Sequence, residues 1–153
     1  MAVYEDRIGN TVHLALVKGE IKPDQPTLVR VHLRNMLQDV LGVRHGDFSW
    51  PLRRAIQRVA EEGQGVVVLL RKPESSRDVV QQIMALNQPH LSAAQTSVPQ
   101  AQPDERQALR TYGVGAQILA DLGVRKMRVL STPKKMYALS GFDLEVVEYV
   151  HCD

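Results

Sequence analysis

Two periods of apolar residues run along the chain, and the switches between them mark its elements. Val12 to Val17 (VHLALV) is a dense apolar run that predicts a strand, with Lys18-Gly19-Glu20-Ile21-Lys22-Pro23 as the turn after it. From Thr27 to Leu33 strict alternation puts Val29, Val31 and Leu33 on one face of a second strand and Arg30 and His32 on the other. After Ser49-Trp50-Pro51 the spacing becomes helical: Leu52, Ala55, Ile56, Val59 and Ala60 form one stripe, and Arg53, Arg54, Gln57 and Arg58 lie outside it. Gly63 and Gly65 bracket a turn into Val66 to Leu70, an all-apolar run expected to be a strand buried on both faces.

Further along, Ser75 or Ser76 stands as the N-cap of a helix through Val79, Val80, Ile83, Met84 and Leu86. The stretch at about 87–107 is rich in Gln, Pro, Ser and Ala, which predicts a mobile connection. Val114, Ile118, Leu119 and Leu122 return to helical spacing, and Gly123 is placed to cap that helix. Lys126 to Leu130 reads as a short strand with Met127 and Val129 on one side, and Leu144 to Val150 as the last strand. His151 and Cys152 are expected to be loose terminal residues. Alternating strands and helices predict a three-layer α/β domain around a mixed sheet.

Composition narrows the function classes. A chain of 153 residues is expected to be one domain, 1–153, with a single core. A net charge of +2 from dispersed basic residues argues against a nucleic-acid or membrane surface. The Arg53 to Arg58 cluster lacks interleaved aromatics and reads as a solvated helix face. Cys152 is the only cysteine, so neither an intrachain disulfide nor a thiolate metal cage can form. The opening MAVYEDRIGN lacks the apolar core of a signal peptide, and no apolar run is long enough to span a bilayer, so a soluble cytoplasmic protein is expected.

Candidate chemistry gathers after the Lys126 strand. Thr132 is a plausible N-cap and Pro133 suits a first helical position, so Ser131-Thr132-Pro133-Lys134-Lys135 reads as a strand-to-helix turn. Free N–H groups and the positive dipole end of such a helix favour an anion. Lys134 and Lys135 would complement that anion; solvated lysines at a helix start are the alternative. Arg30 and His32 pose the same choice between a binding face and an exposed polar one.

The stretch RTYGVGAQILADLGVRKMRVLSTP-KK (Arg110 to Lys135) resembles the C-terminal part of the GTP cyclohydrolase II family, whose members carry a close relative of RxYGxGAQILxDLGVRKxRLLTNNPxK. HLALVKGEI (His13 to Ile21), LVRVH (Leu28 to His32) and AEEGQGVVVLLR (Ala60 to Arg71) extend the resemblance over most of the chain, in the family's order. The resemblance implies a GTP cyclohydrolase II-like α/β fold, a homodimer and a substrate site at RVH, so that Arg30 and His32 would face a triphosphate pocket together with Ser131, Thr132, Lys134 and Lys135. It also assigns Arg110 to the arginine proposed to take part in attack at the α-phosphate, although the acidic neighbour of that arginine falls on Ala108. Asp104 and Glu105 are close enough to supply a carboxylate if the alignment shifts.

Two departures bear on activity. Family members read approximately HSxCLTGDxxGSxRCDCGxQL, and this chain reads HLRNMLQDVLGVRHGDFSWPL from His32, so the three zinc-binding cysteines fall on Asn35, Gly46 and Phe48. Glycine and phenylalanine carry no donor atom and an asparagine amide is a weak zinc ligand, so no zinc or other cofactor is expected. His32, Asp39, His45 and Asp47 fix no third ligand between them, and they are expected to be solvated loop residues. The family's glycine-rich QEGRGIG loop is replaced by Lys72-Pro73-Glu74-Ser75-Ser76-Arg77-Asp78, without a glycine.

In the family a zinc-bound water opens the GTP ring, so the leading expectation is a domain that has lost the hydrolase activity and keeps a remnant pocket for GTP, another nucleotide or pyrophosphate. The resemblance further implies a structural or regulatory role beside a fused 3,4-dihydroxy-2-butanone 4-phosphate synthase domain. Two alternatives stay open. One is a metal-independent hydrolase of a nucleotide or sugar phosphate using Arg110 and Asp104; the other is a nucleotide-sensing module.

Overall fold

The computed structural model describes residues 1–43, 50–87, 105–133 and 139–152, with the backbone alone for 105–108. Strand β1 (Ala2–Asp6) turns back into β2 (Thr11–Lys18), and β3 (Thr27–Leu33) leads into the short helix α1 (Met36–Leu41). Helix α2 (Leu52–Glu62) precedes β4 (Gly65–Leu70), and α3 (Ser76–Asn87) follows it. Helix α4 (Glu105–Asp121), β5 (Lys126–Leu130), a 3-10 turn (Leu139–Phe142) and β6 (Glu145–Val150) complete the described chain.

The six strands form one mixed sheet in the order β1-β2-β4-β3-β5-β6. β1 with β2 and β2 with β4 are antiparallel, whereas β3 with β4, β3 with β5 and β5 with β6 are parallel. A helix covers each face. On one side Ala116, Ile118 and Leu119 of α4 pack on Ala15, Val29, Val66, Val68, Met127 and Val129. On the other, Ala55 and Val59 of α2 join Leu28, Trp50, Val67 and Leu130. Burying one leucine such as Leu119 contributes roughly 1.5–3 kcal/mol, so these two layers carry most of the stability. The three-layer mixed α/β architecture expected from the sequence is the one observed.

Chain punctuation explains the strand junctions. Gly63 closes α2 at φ 77°, with its N–H donating to Val59 and Ala60 carbonyls. Gly65 opens β4 so close to β3 that a Cβ there would stand 2.6 Å from the Leu28 carbonyl oxygen. Gly123, at φ 85°, ends the α4 segment where the sequence places a cap. Trp50 anchors α2 to β6 through an indole N–H donated to the Val150 carbonyl at 2.7 Å.

Several expectations need correction. The α2 stripe is narrower than its spacing implies: Ala55 and Val59 are buried, but Ile56 and Ala60 are exposed, because only the Ala55/Val59 row meets the sheet. Helix α3 is capped by Ser75 as expected, its hydroxyl accepting from the Asp78 N–H at 3.2 Å, yet it buries no residue and leaves Val80, Ile83 and Met84 exposed. The connection expected at 87–107 is helical at both ends, at Asn87 and from Glu105, and 88–104 lie outside the described residues. Asp39 is no solvated loop residue, since it lies on α1 and binds buried His32. Strand β1 and helix α1 were not foreseen at all.

Candidate functional site

Strand β3 sends its side chains to both faces of the sheet. Val29 and Val31 join the α4-side core, and Leu28 the α2-side core. Arg30 and His32 share the parity of Leu28 and therefore stand on the α2 face. Both are buried, at 8% and 3% exposure, which removes the exposed-face alternative.

There they form a chain of hydrogen bonds. Arg30 Nη1 donates to the Leu130 carbonyl at 2.8 Å, and its Nη2 lies 3.4 Å from His32 Nδ1. His32 Nε2 meets Asp39 Oδ1 at 2.8 Å, and Asp39 Oδ2 accepts the Asn35 N–H at 2.9 Å. An arginine donor on one ring nitrogen and a carboxylate on the other select the neutral tautomer with its proton on Nε2. Burial lowers the His32 pKa, Asp39 opposes that shift, and Arg30 adds to it. Burial also lowers the Arg30 pKa, and its Nε is a buried donor without a partner among the described residues.

Asn35 stands where this chain of contacts reaches the surface. Its Oδ1 accepts the Gln38 N–H at 3.1 Å, capping α1, and its Nδ2 donates to Gln82 of α3 at 3.2 Å. Both ends of the amide are occupied. Ser131 is buried at the end of β5, next to the Leu130 carbonyl that receives Arg30, and its hydroxyl donates to the Thr132 carbonyl at 2.9 Å. Arg30, His32, Ser131 and Thr132 are thus brought together at the ends of β3 and β5. Lys134 and Lys135, and the helix expected to start at Pro133, lie outside the described residues, as do His45, Gly46, Asp47, Phe48 and Asp104.

Arg110 is elsewhere. It lines a cavity of about 200 Å³ on the α4 side of the sheet, to which Arg30 and His32 do not contribute. The β1–β2 hairpin supplies Asp6, Thr11 and His13 to this cavity, the ends of β3 and β4 supply Leu33 and Leu70, and α4 adds Val114. Arg71 and Lys72 follow β4 at the rim. His13 is buried, its Nδ1 accepting the Arg71 N–H at 3.1 Å and its Nε2 lying 3.4 Å from Thr11 Oγ1. Burial lowers its pKa, with Asp6 opposing and Arg71 reinforcing the shift. Asp6 accepts the N–H groups of Ile8 and Gly9, and the Gly9 bond leads the effects that hold its carboxyl below the usual range.

Sequence reasoning did not single out Asp6, Thr11, His13, Arg71 or Lys72. The available signal was parity: His13 alternates with Ala15 on the core-facing side of β2, a position where histidine needs partners.

Residues 1–151 match the sequence pattern of the family described as GTP cyclohydrolase II. The chain is 44% identical over 96% of its length to a 3,4-dihydroxy-2-butanone 4-phosphate synthase of Pseudomonas syringae pv. tomato. It is 35% identical over 96% of its length to the riboflavin biosynthesis protein RibBA of Bacillus cytotoxicus. It spans only 38% and 37% of those two proteins. Among solved structures it resembles RibBX from A. baumannii, a two-domain 3,4-dihydroxy-2-butanone 4-phosphate synthase, with a TM-score of 0.53 and 38% identity over 93% of this chain and 32% of that one. The chain therefore belongs to the GTP cyclohydrolase II family.

Proposed function

We propose that this chain is a GTP cyclohydrolase II-like domain of riboflavin biosynthesis that has lost the zinc site and the hydrolase activity, and that serves a structural or regulatory role beside a 3,4-dihydroxy-2-butanone 4-phosphate synthase domain. The observation that carries the reading is Asn35. At the position of the first family cysteine stands an amide whose oxygen caps α1 and whose nitrogen binds Gln82. The other two positions, Gly46 and Phe48, have no donor atom in their side chains. This donor set does not fit zinc, which takes four ligands from sulfur, imidazole or carboxylate. His32 offers no substitute, because its Nε2 is engaged by Asp39 and its Nδ1 faces Arg30.

What remains is a basic, hydrogen-bonded corner at the ends of β3 and β5. Arg30, whose Nε has no partner among the described residues, Ser131 and Thr132 supply donors there, and Lys134 and Lys135 follow in sequence. A nucleotide or pyrophosphate group is the ligand this reading assigns to it, and Arg110 is a separate remnant. The synthase partner is supported by the names and greater length of the relatives. The homodimer and the cytoplasmic location are carried from the family. No helix among the described residues is long and apolar enough to cross a membrane.

A metal-independent hydrolase is the second reading, and the presence of Asp6 in the cavity of Arg110 favours it. Against it, the carboxyl of Asp6 is bound to backbone N–H groups that favour its charged form, which makes it a weak base. Incubating the protein with GTP, with and without zinc, and assaying formate and pyrophosphate separates the readings. The proposal expects neither product above the protein-free rate. Zinc-dependent turnover would overturn it outright, and metal-free turnover would establish the alternative.

A further inference from the structure

We propose that helix α3 and the strap 71–75 that joins it to β4 form a flap at the mouth of the α4-side cavity, held shut by a clasp of three side chains, Asn35, Gln82 and Glu74. The flap governs access to that cavity whatever occupies it, and it stands or falls independently of whether zinc chemistry is lost. Arg71, Lys72 and Pro73 line the cavity after β4, and Leu33 lines it at the end of β3. Both rim segments run on into the clasp, since Asn35 follows closely on Leu33 and Glu74 comes directly after Pro73. Asn35 Nδ2 donates to Gln82 Oε1, and Gln82 Nε2 donates to Glu74 Oε1, each at 3.2 Å. One amide on α3 thus ties both sides of the rim.

Little else holds the flap down. Among the described residues α3 buries no side chain, and Val80, Ile83 and Met84 face solvent. A helix of 12 residues that lacks a packed face is marginal in water. Within the strap the Arg71 N–H donates to His13 Nδ1 at 3.1 Å, and no hydrogen bond among the described residues fixes Lys72 or Pro73. Pro73 has no N–H to lose when the strap lifts. Each clasp bond exchanges for water at a small net cost, whereas α4 opens only by exposing buried Ile118 and Leu119. The flap therefore opens as a unit of its own, far more often than the sheet and α4 unfold. Opening carries Arg71, Lys72 and Pro73 away from the rim and widens the path to His13, which is buried in the closed state.

Amide hydrogen exchange resolved by NMR tests the flap in the parent, in Gln82→Ala and in Glu74→Ala. In the parent, the amides of Ile83 and Met84 are expected to exchange about 100-fold or more faster than those of Leu119 and Val68. Both substitutions remove a clasp bond and leave the Asn35 cap of α1 in place. Each should speed exchange at Ile83, Met84 and the Arg71 amide together, by about two- to tenfold. Unchanged exchange at Leu119 and Val68 shows that the variants keep the fold. The proposal is overturned if Ile83 and Met84 exchange as slowly as Leu119 in the parent, if both variants leave α3 unchanged, or if Leu119 speeds up as much as α3. It is also overturned if Arg71 keeps its parent rate while α3 speeds up, since α3 would then fray without moving the strap. GTP turnover tests the loss of hydrolase activity separately, so either reading can fail alone.

Discussion

His13 and His32 occupy opposite faces of the sheet, yet share one physical situation: each is buried, has a polar partner at both ring nitrogens, and is held neutral by its surroundings. Burial is the leading cause of the lowered pKa in both. The unfolded chain then binds more protons than the fold just below the ordinary histidine value, so stability is complete above about pH 6.5 and declines as the pH falls through that window. Thermal unfolding between about pH 7.5 and pH 5.5 should show a falling midpoint, and His32→Gln, which can still donate to Asp39, should flatten the fall. A midpoint independent of pH in the parent would show that neither ring is kept neutral. Sequence alone located Arg30 and His32 but not their setting, since alternation reveals which residues share a face and not whether a helix covers it. Here α2 packs on Leu28 of that face, and Asp39 of α1 meets His32. Asp39, seven residues on, was invisible as a partner because α1 spans only six residues, too few to show a period.

Among the elements, α4 and β4 were legible in the sequence and α1 and β1 were not. Val66 to Leu70 lies between strands on both sides and between helices on both faces, so its apolar run was sufficient signal. Among the described residues β1 is an edge strand whose only sheet neighbour is β2. Its half-buried alternation of Ala2, Tyr4 and Asp6 is weak, and it is fixed by the Tyr4 hydroxyl donating to Asp121 of α4 at 2.8 Å. Burial, then the Asp121 hydrogen bond and charge, push the Tyr4 pKa up to about 12. The helices differ in what they contribute. Leu119→Ala in α4 should cost about 2–5 kcal/mol in denaturant unfolding, whereas Met84→Ala on the exposed α3 should stay within about 0.5 kcal/mol. Equal losses would mean that α3 is part of the cooperative core. At the head of β4, Gly65→Ala would push a methyl group against the Leu28 carbonyl and the Val59 side chain, and a loss of about 1 kcal/mol or more is expected from the same measurement.

For the molecule as a whole, the proposal separates the fold from the family chemistry. Two packed layers on a mixed sheet keep the GTP cyclohydrolase II architecture. On our proposal, Asn35, Gly46 and Phe48 at the three cysteine positions do not hold its metal. The cavity facing α4 and the corner at β3 and β5 lie on opposite sides of the sheet, a separation that no linear motif reveals, because strand order and face are decided by the packing of distant segments. The most direct test is the zinc content of the protein after equilibration with excess zinc and gel filtration, measured beside the triple variant Asn35→Cys, Gly46→Cys, Phe48→Cys. The account predicts that the parent retains far less than one zinc per chain and that the variant retains about one. A stoichiometric zinc in the parent would contradict it.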